Sequence, residues 1–410
     1  MEKKPLQIKT KPISRCFQCI LLFIILFASG CGSSAKAQQQ EATRQFENAL
    51  LTATFAYQSP TPSETPAPPT PTVPPTATPV PPTATADPNR TPPALPAAFQ
   101  TSLLNPLDTP KTYQKDVCAY LKNRWDANNS TPGTVVMPIM FHSITDGEVI
   151  HIDQISVEKF NFLIRDLKDQ GFEAITTDQL VSFLETNAKI PLRSVILIVD
   201  DRKSSSYFET HFKPYFEAYG WKVVNAWISA KETLDYLWKE NEAVEAAGYV
   251  DHQAHGVVHN VNMGKDSSDE FIKTELFGSI EAIQQHFGKT PQAIIWPGGS
   301  FSERPVAIAR EAGYHIGFTI NPRGPLMFNW VPLSDKEDPG RPSFIPEGGI
   351  NDPLMVLPRY WDTDASVHLD TVRQIGKQAA AEAEQNRAVE LEYYDIVCKP
   401  TYGEIPGINP

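Results

Sequence analysis

Two adjacent acids, Asp200 and Asp201, close the run SVILIVDD, and two histidines, His255 and His259, stand four residues apart in AHGVVH. A further histidine, His142, ends the apolar run TVVMPIMFH, and the turn WPGG, Trp296 to Gly299, follows QAII. Aspartate and histidine are ligand types that suit zinc or another first-row divalent ion. One carboxylate and two imidazoles leave coordination positions open, as a catalytic centre requires. Successive residues of an ideal strand point to opposite faces, so both acids cannot reach one ion from a regular strand. At a strand end that is turning, one can ligate while the other faces a water. A divalent ion lowers the pKa of water from about 15.7 to about 7, roughly 12 kcal/mol. The second aspartate then has the place of a general base. His252 extends the histidine pair with spacings of three and four, which would line one helix face. It is read as a solvated side chain in preference to a third ligand.

These residues need elements that bring them to one place. SVILIV has no apolar–polar alternation, as expected of a parallel strand buried on both sides. SVEKFNFLIRDLKDQG reads as a helix with Ser156 as N-cap and Gly171 as its stop. FEAIT, WKVVNAWIS, QAIIWP and YHIGFTIN read as strands. TDQLVSFLETN, SDEFIKTELFGSIEAIQQHFG and SERPVAIAREAG read as helices, and Pro214 breaks SSSYFETHFKPYFEAYG. Alternating strands and helices predict βαβ units and a parallel sheet, as an open doubly wound sheet or a barrel. In either, ligands bind at the carboxyl ends of the strands. His142, Asp200, Asp201, His255 and the WPGG turn all fall at such ends.

The chain has 410 residues, a net charge of -12 and 41% hydrophobic residues. That acidity argues against a nucleic-acid partner held through phosphates. The basic MEKKPLQIKTKPISR precedes the apolar CFQCILLFIILFA and the small residues ASGC. This resembles a bacterial lipoprotein signal, which implies removal of Cys16 and Cys19, a lipidated Cys31, and a chain held on the extracytoplasmic face of the cell membrane. The competing reading is an uncleaved anchor. Cys118 and Cys398 are then the remaining thiols, and an exported chain is expected to pair them as a disulfide. Closing so long a loop is worth about 4 to 5 kcal/mol in chain entropy. Residues 59–96 hold fifteen of the 37 prolines, which reads as an extended polyproline II spacer reaching on the order of 100 Å.

Taken together, the motifs resemble those of the polysaccharide deacetylases, carbohydrate esterase family four, in their biofilm-polysaccharide branch, over roughly 134–360. IVDDR stands where that family has TFDDG. AHGVVH matches its H-S/T-x-x-H, WPGGSFSE its YPYGSFS, MPIMFHSI its MYHSI opening, and LPRYW its closing L-P-R. The resemblance implies an α/β fold, a distorted (β/α) barrel of parallel strands, and N-acetyl hydrolysis on a cell-surface or extracellular glycan. It implies Asp200 as base, His142 as acid, and Asp201, His255 and His259 as ligands of a divalent metal, zinc by ligand type. Trp296, Pro297, Gly298 and Arg359 are expected to touch substrate. Four departures are plain: Arg202 for a glycine, Gly256 for Ser or Thr, Ile295 for an arginine that orients the base, and Gly299 after Gly298. A glycan-binding lipoprotein of the same fold with weak catalysis is the alternative.

The expected organisation is a signal peptide at 1–31, a juxtamembrane segment at 32–58 and a Pro/Thr-rich linker at 59–98. A flank at 99–133, a deacetylase-like domain at 134–370 and a C-terminal helix and tail at 371–410 follow. The expected partners are an N-acetylated glycan and, through the lipid, a membrane; a monomer is expected.

Overall fold

A computed structural model describes residues 90–258 and 261–408, all within the unit Thr85–Pro410. The signal peptide, Cys31, the juxtamembrane segment, most of the linker and His259 lie outside the described residues. In chain order the elements begin with β1 (Asp108–Lys111) and α1 (Val117–Trp125). Then come β2 (Val135–Phe141), β3 (Ser143–Thr145), β4 (Gln154–Ser156), α2 (Val157–Asp169), β5 (Glu173–Ala174), α3 (Thr177–Thr186) and β6 (Arg193–Val199). They are followed by α4 (Ser205–His211), α5 (Lys213–Tyr219), β7 (Val223–Trp227), α6 (Asp235–Ala246), β8 (Val250–Ala254) and α7 (Asp269–Phe287). The chain continues through β9 (Ala293–Ile295), α8 (Glu303–Ala312), β10 (Ile316–Phe318), β11 (Val331–Ser334), β12 (Tyr360–Trp361) and α9 (Ala365–Tyr393).

The main sheet is parallel, in the order β10-β9-β8-β7-β6-β2-β12, with β5 pairing on β6. It is a curled half-barrel whose edges are joined by one segment. Leu357 bonds to β10 through Gly317 O and Thr319 N, and four residues on Trp361 pairs with Met140 of β2. The sheet buries both faces. Val136, Ile196, Ile198 and Val224 pack into one apolar cluster, with Ile272, Leu276 and Ile283 of α7. Val135, Met137, Val195, Leu197, Val199 and Val223 pack into the other, with Phe160 and Leu163 of α2 and Leu369 and Val372 of α9. That two-sided burial is the reason for the unbroken apolar runs in the sequence.

Local chemistry fixes the element ends. Ser156 Oγ accepts from Lys159 N at 3.2 Å at the start of α2, and Thr176 with Gln179 forms a capping box on α3. Pro214 sits in the first turn of α5, where a missing N–H costs nothing, so the expected single helix divides into α4 and α5. The 250–254 segment is a strand, which overturns the reading of His252, His255 and His259 as one helix face. Helix α9 begins at Ala365. Residues 90–98, read as linker, make specific contacts: Arg90 pairs with Asp395, and Leu95 packs on the cluster around Leu121 and Trp125.

Among the described residues no helix is long and apolar enough to cross a membrane. Cys118 and Cys398 are joined by a disulfide with sulfurs 2.01 Å apart, tying α1 to the C-terminal segment across 280 residues. Replacing both by serine should lower unfolding free energy by about 2–5 kcal/mol. Equilibrium urea unfolding of the two proteins checks this, and equal midpoints would contradict it.

Candidate active site

Strand parity and register bring the first two groups together. Phe141 pairs with Val199 in the β2–β6 ladder, so the following residues, His142 and Asp200, are neighbours. Both continue the even-numbered face of their strands, and His142 Nε2 lies 3.5 Å from Asp200 Oδ2. Asp200 is buried and its amide donates to Phe141 O at 2.8 Å.

Asp201 would face the other way in a regular strand. Instead its φ is +68°, a left-handed turn that aspartate tolerates better than most residues. Its Oδ1 thereby lies 3.9 Å from His255 Nε2. Two buried amides hold this turn: Asn225 Nδ2 donates to Val199 O and Asp201 O at 3.1 and 2.9 Å, and Asn241 Nδ2 donates to Lys203 O at 3.0 Å. The two adjacent acids therefore reach one site because the strand ends between them.

His255 follows β8 and is buried. Its Nδ1 lies 2.7 Å from Ile295 O, an acceptor, so Nδ1 carries the proton and Nε2 keeps its lone pair toward Asp201. Burial pushes the imidazole pKa down against the pull of Asp200, which favours the neutral form. A neutral imidazole with its second nitrogen anchored to a carbonyl is the arrangement metal ligands adopt, so this pair fits a zinc-type ion. His259, the expected third ligand, lies outside the described residues. Among the described residues no three His, Cys, Asp or Glu side chains converge as a metal cage.

Arg359 is placed differently from the expectation of substrate contact. It is fully buried, and its guanidinium grips Asp200 at both oxygens: Nη1 to Oδ1 at 2.5 Å and Nη2 to Oδ2 at 2.9 Å. Its Nε donates to Thr319 O at 2.7 Å. Burial alone would raise the Asp200 pKa. The Arg359 charge, then His142 and the Arg359 hydrogen bonds, outweigh it and hold the carboxyl well below the usual range. Arg359 thus orients the acid, in place of the arginine absent at Ile295.

Trp296 is also corrected. It is fully buried, and its indole Nε1 donates to Met355 O at 2.7 Å, so it cannot stack on a sugar. Pro297 is buried; Gly298 is exposed with φ +60°. The aromatic group beside the site is Trp361, half-buried and stacked on His142 with ring centres 5.5 Å apart at 15°. His252 is neither solvated nor a ligand: it is fully buried, with Nδ1 on Glu245 and Nε2 on Asn241. Arg202 turns from the carboxylates to the hydroxyl of Thr233.

Sequence reading passed over Asp362, which follows Trp361. It is buried, its Oδ2 has no hydrogen-bond partner, and burial pushes its pKa up to about 8. A signal was available, since an acid directly after a strand-end tryptophan at this face is of the same type as Asp200.

Comparison with known proteins adds to this geometry. The family described as polysaccharide deacetylase matches residues 188–317, which include Asp200, Asp201 and His255. The putative polysaccharide deacetylase YxkH of Bacillus subtilis (strain 168) is 22% identical over 185 residues, 45% of this chain and 64% of that protein. The chain therefore spans less than two thirds of that relative. The Streptococcus pyogenes deacetylase PplD in complex with acetate is similar at a TM-score of 0.45 and 18% identity, over 59% of this chain and 99% of that one. IcaB from Ammonifex degensii is similar at a TM-score of 0.43 and 13% identity, over 60% and 97%.

Two outcomes follow. Arg359→Ala strands a buried carboxylate and should cost about 3–5 kcal/mol of stability in chemical denaturation; a loss under 1 kcal/mol would contradict the pairing. The folded-state pKa of Asp362 is raised, so the native state keeps a proton that the unfolded chain has lost above about pH 4. Stability is therefore lost as pH rises from about 4 toward 8. Asp362→Asn should gain at least about 1 kcal/mol relative to the parent at pH 8 and lose that gain below pH 4, as read by denaturant midpoints across pH.

Proposed function

We propose, for a chain that belongs to the polysaccharide deacetylase family through its domain at residues 188–317, the metal-assisted hydrolysis of N-acetyl groups on a polysaccharide. The observation that carries this reading is the bidentate Arg359–Asp200 pair, with His142 against Asp200 and with Asp201 and His255 beside it. Asp201, His255 and His259 would hold the ion, which when bound supplies a Lewis acid for the acetyl carbonyl and lowers the pKa of water.

The chain's own groups then have distinct tasks. Asp200 is held ionised at neutral pH by Arg359, which donates to both oxygens, and each carboxylate oxygen keeps further acceptor capacity for a water proton. It accepts that proton as water attacks the acetyl carbon. His142, whose Nε2 lies 3.5 Å from Asp200 Oδ2, donates a proton to the leaving nitrogen, so that C–N cleavage releases an amine and acetate. Trp361 holds the His142 ring in plane and offers an apolar edge to a sugar. An acidic protein acting on a neutral amino sugar needs no basic groove.

We place this activity outside the cytoplasm, on a chain tethered through Cys31. The Cys118–Cys398 disulfide supports that reading, because such bonds persist in oxidising compartments. On this reading the Pro/Thr-rich segment serves as the spacer between anchor and domain.

Acetate release from N-acetylated chito-oligosaccharide, assayed with zinc present, tests the assignment. Asp200→Asn should reduce kcat by at least about 100-fold, the scale of a lost general base. Activity that survives in Asp200→Asn would contradict the base. Glycan binding without acetate release by the unaltered protein would favour a binding module.

A further inference from the structure

Helix α7 carries an acid on its apolar face. Glu275 lies between Ile272 and Ser279, on the side that packs into the core with Leu276 and Ile283, and it is fully buried. Its partners are two successive backbone amides rather than another side chain's charge. Oε2 accepts from Val257 N at 2.7 Å and from Val258 N at 3.1 Å, and Oε1 accepts from Val258 N at 3.0 Å. Consecutive amides aimed at one carboxylate form an anion-binding concavity. A buried acid is costly unless it is satisfied, and this one is satisfied by the segment directly after His255.

Gly256 completes the arrangement from the other side. Its φ is +80°, and a Cβ there would lie 2.5 Å from Glu275 Oε2 and 3.3 Å from Pro297 Cγ. The position therefore excludes a side chain twice, by backbone conformation and by space. The backbone at Gly256 is itself tied to β7's continuation, with Ser229 N donating to Gly256 O at 2.9 Å. The departure from H-S/T-x-x-H is thus matched by an acid reaching in from a helix. That acid, 18 residues after Val257, occupies the volume a Ser or Thr side chain at 256 would need.

We infer that Glu275 is a positioning residue for the metal half-site of Asp201 and His255, fixing the segment 255–258 through the Val257 and Val258 amides, with Gly256 as its required partner. The inference rests on the metal-assisted reading of the site. It concerns which residue sets that site's affinity. Groups that orient first ligands commonly alter metal affinity 10–100-fold when replaced.

The test is calorimetric titration of zinc into the metal-stripped full chain, with circular dichroism confirming the fold of each variant. Glu275→Gln keeps one acceptor but turns an amide N–H toward a donor, and should weaken zinc binding about 10–100-fold. Acetate release by this variant should recover as zinc is raised, with KM for glycan unchanged, an outcome a merely structural role would not give. Gly256→Ala perturbs the same contact without touching the helix, so it serves where Glu275→Gln fails to fold, and should weaken zinc to a similar degree. If the unaltered chain binds zinc and either folded variant binds it within about twofold, the positioning role is overturned while the site reading stands. If the unaltered chain takes up no zinc, both fall together.

Discussion

The fully buried pair between Arg359 and Asp200 joins the architecture to the chemistry. Asp200 directly follows the interior strand β6, and Arg359 lies on the short segment that spans the two edges of the curled sheet. A guanidinium fork meets a carboxylate in one planar geometry. The segment must therefore seat correctly for the acid to be satisfied, and the acid must be ionised for the segment to seat. Burying two charges costs several kcal/mol unless geometry and hydrogen bonds offset it; here both carboxylate oxygens and the guanidinium Nε are engaged. The closing of the sheet and the charge state of the proposed base are thus one constraint.

The remaining groups depend on turns, and the turns depend on buried polar side chains. Asn225 and Asn241 hold the backbone around Asp201. Ile295 O fixes the tautomer of His255, and Glu275 fixes the loop after it. None of these groups needs to touch a substrate. Each satisfies backbone atoms that leave the regular ladder, and in doing so sets where a ligating or proton-accepting atom points. The site is preorganised by the same hydrogen bonds that the ends of the strands would otherwise lack.

Much of this was legible in the sequence. Unbroken apolar runs marked the buried parallel strands, and capping residues marked α2 and α3. The ordering of His142, the two acids and the histidines at strand ends brought His142, Asp200, Asp201 and His255 to one face. What escaped was contact across the chain. Arg359 reads as a substrate-contact residue, and only the fold reveals the carboxylate it meets 159 residues away. Trp296 looks like a sugar platform until the packing around Met355 O buries it. Helical spacing puts His252 and His255 on one face, whereas in the strand at 250–254 they meet different surroundings, Glu245 with Asn241 and Ile295 O. Glu275 did leave a trace, as a lone acid on the apolar face of an otherwise amphipathic helix.

The proposed chemistry requires a divalent ion beside Asp200, with Asp201, His255 and His259 as its proposed ligands. Elemental analysis of the purified chain, alongside Asp201→Ala and His255→Ala, measures this directly. The account predicts close to one equivalent of zinc-type ion per chain, falling below about a tenth in both variants. Less than a tenth of an equivalent in the unaltered chain after incubation with zinc, or full occupancy in both variants, would contradict it.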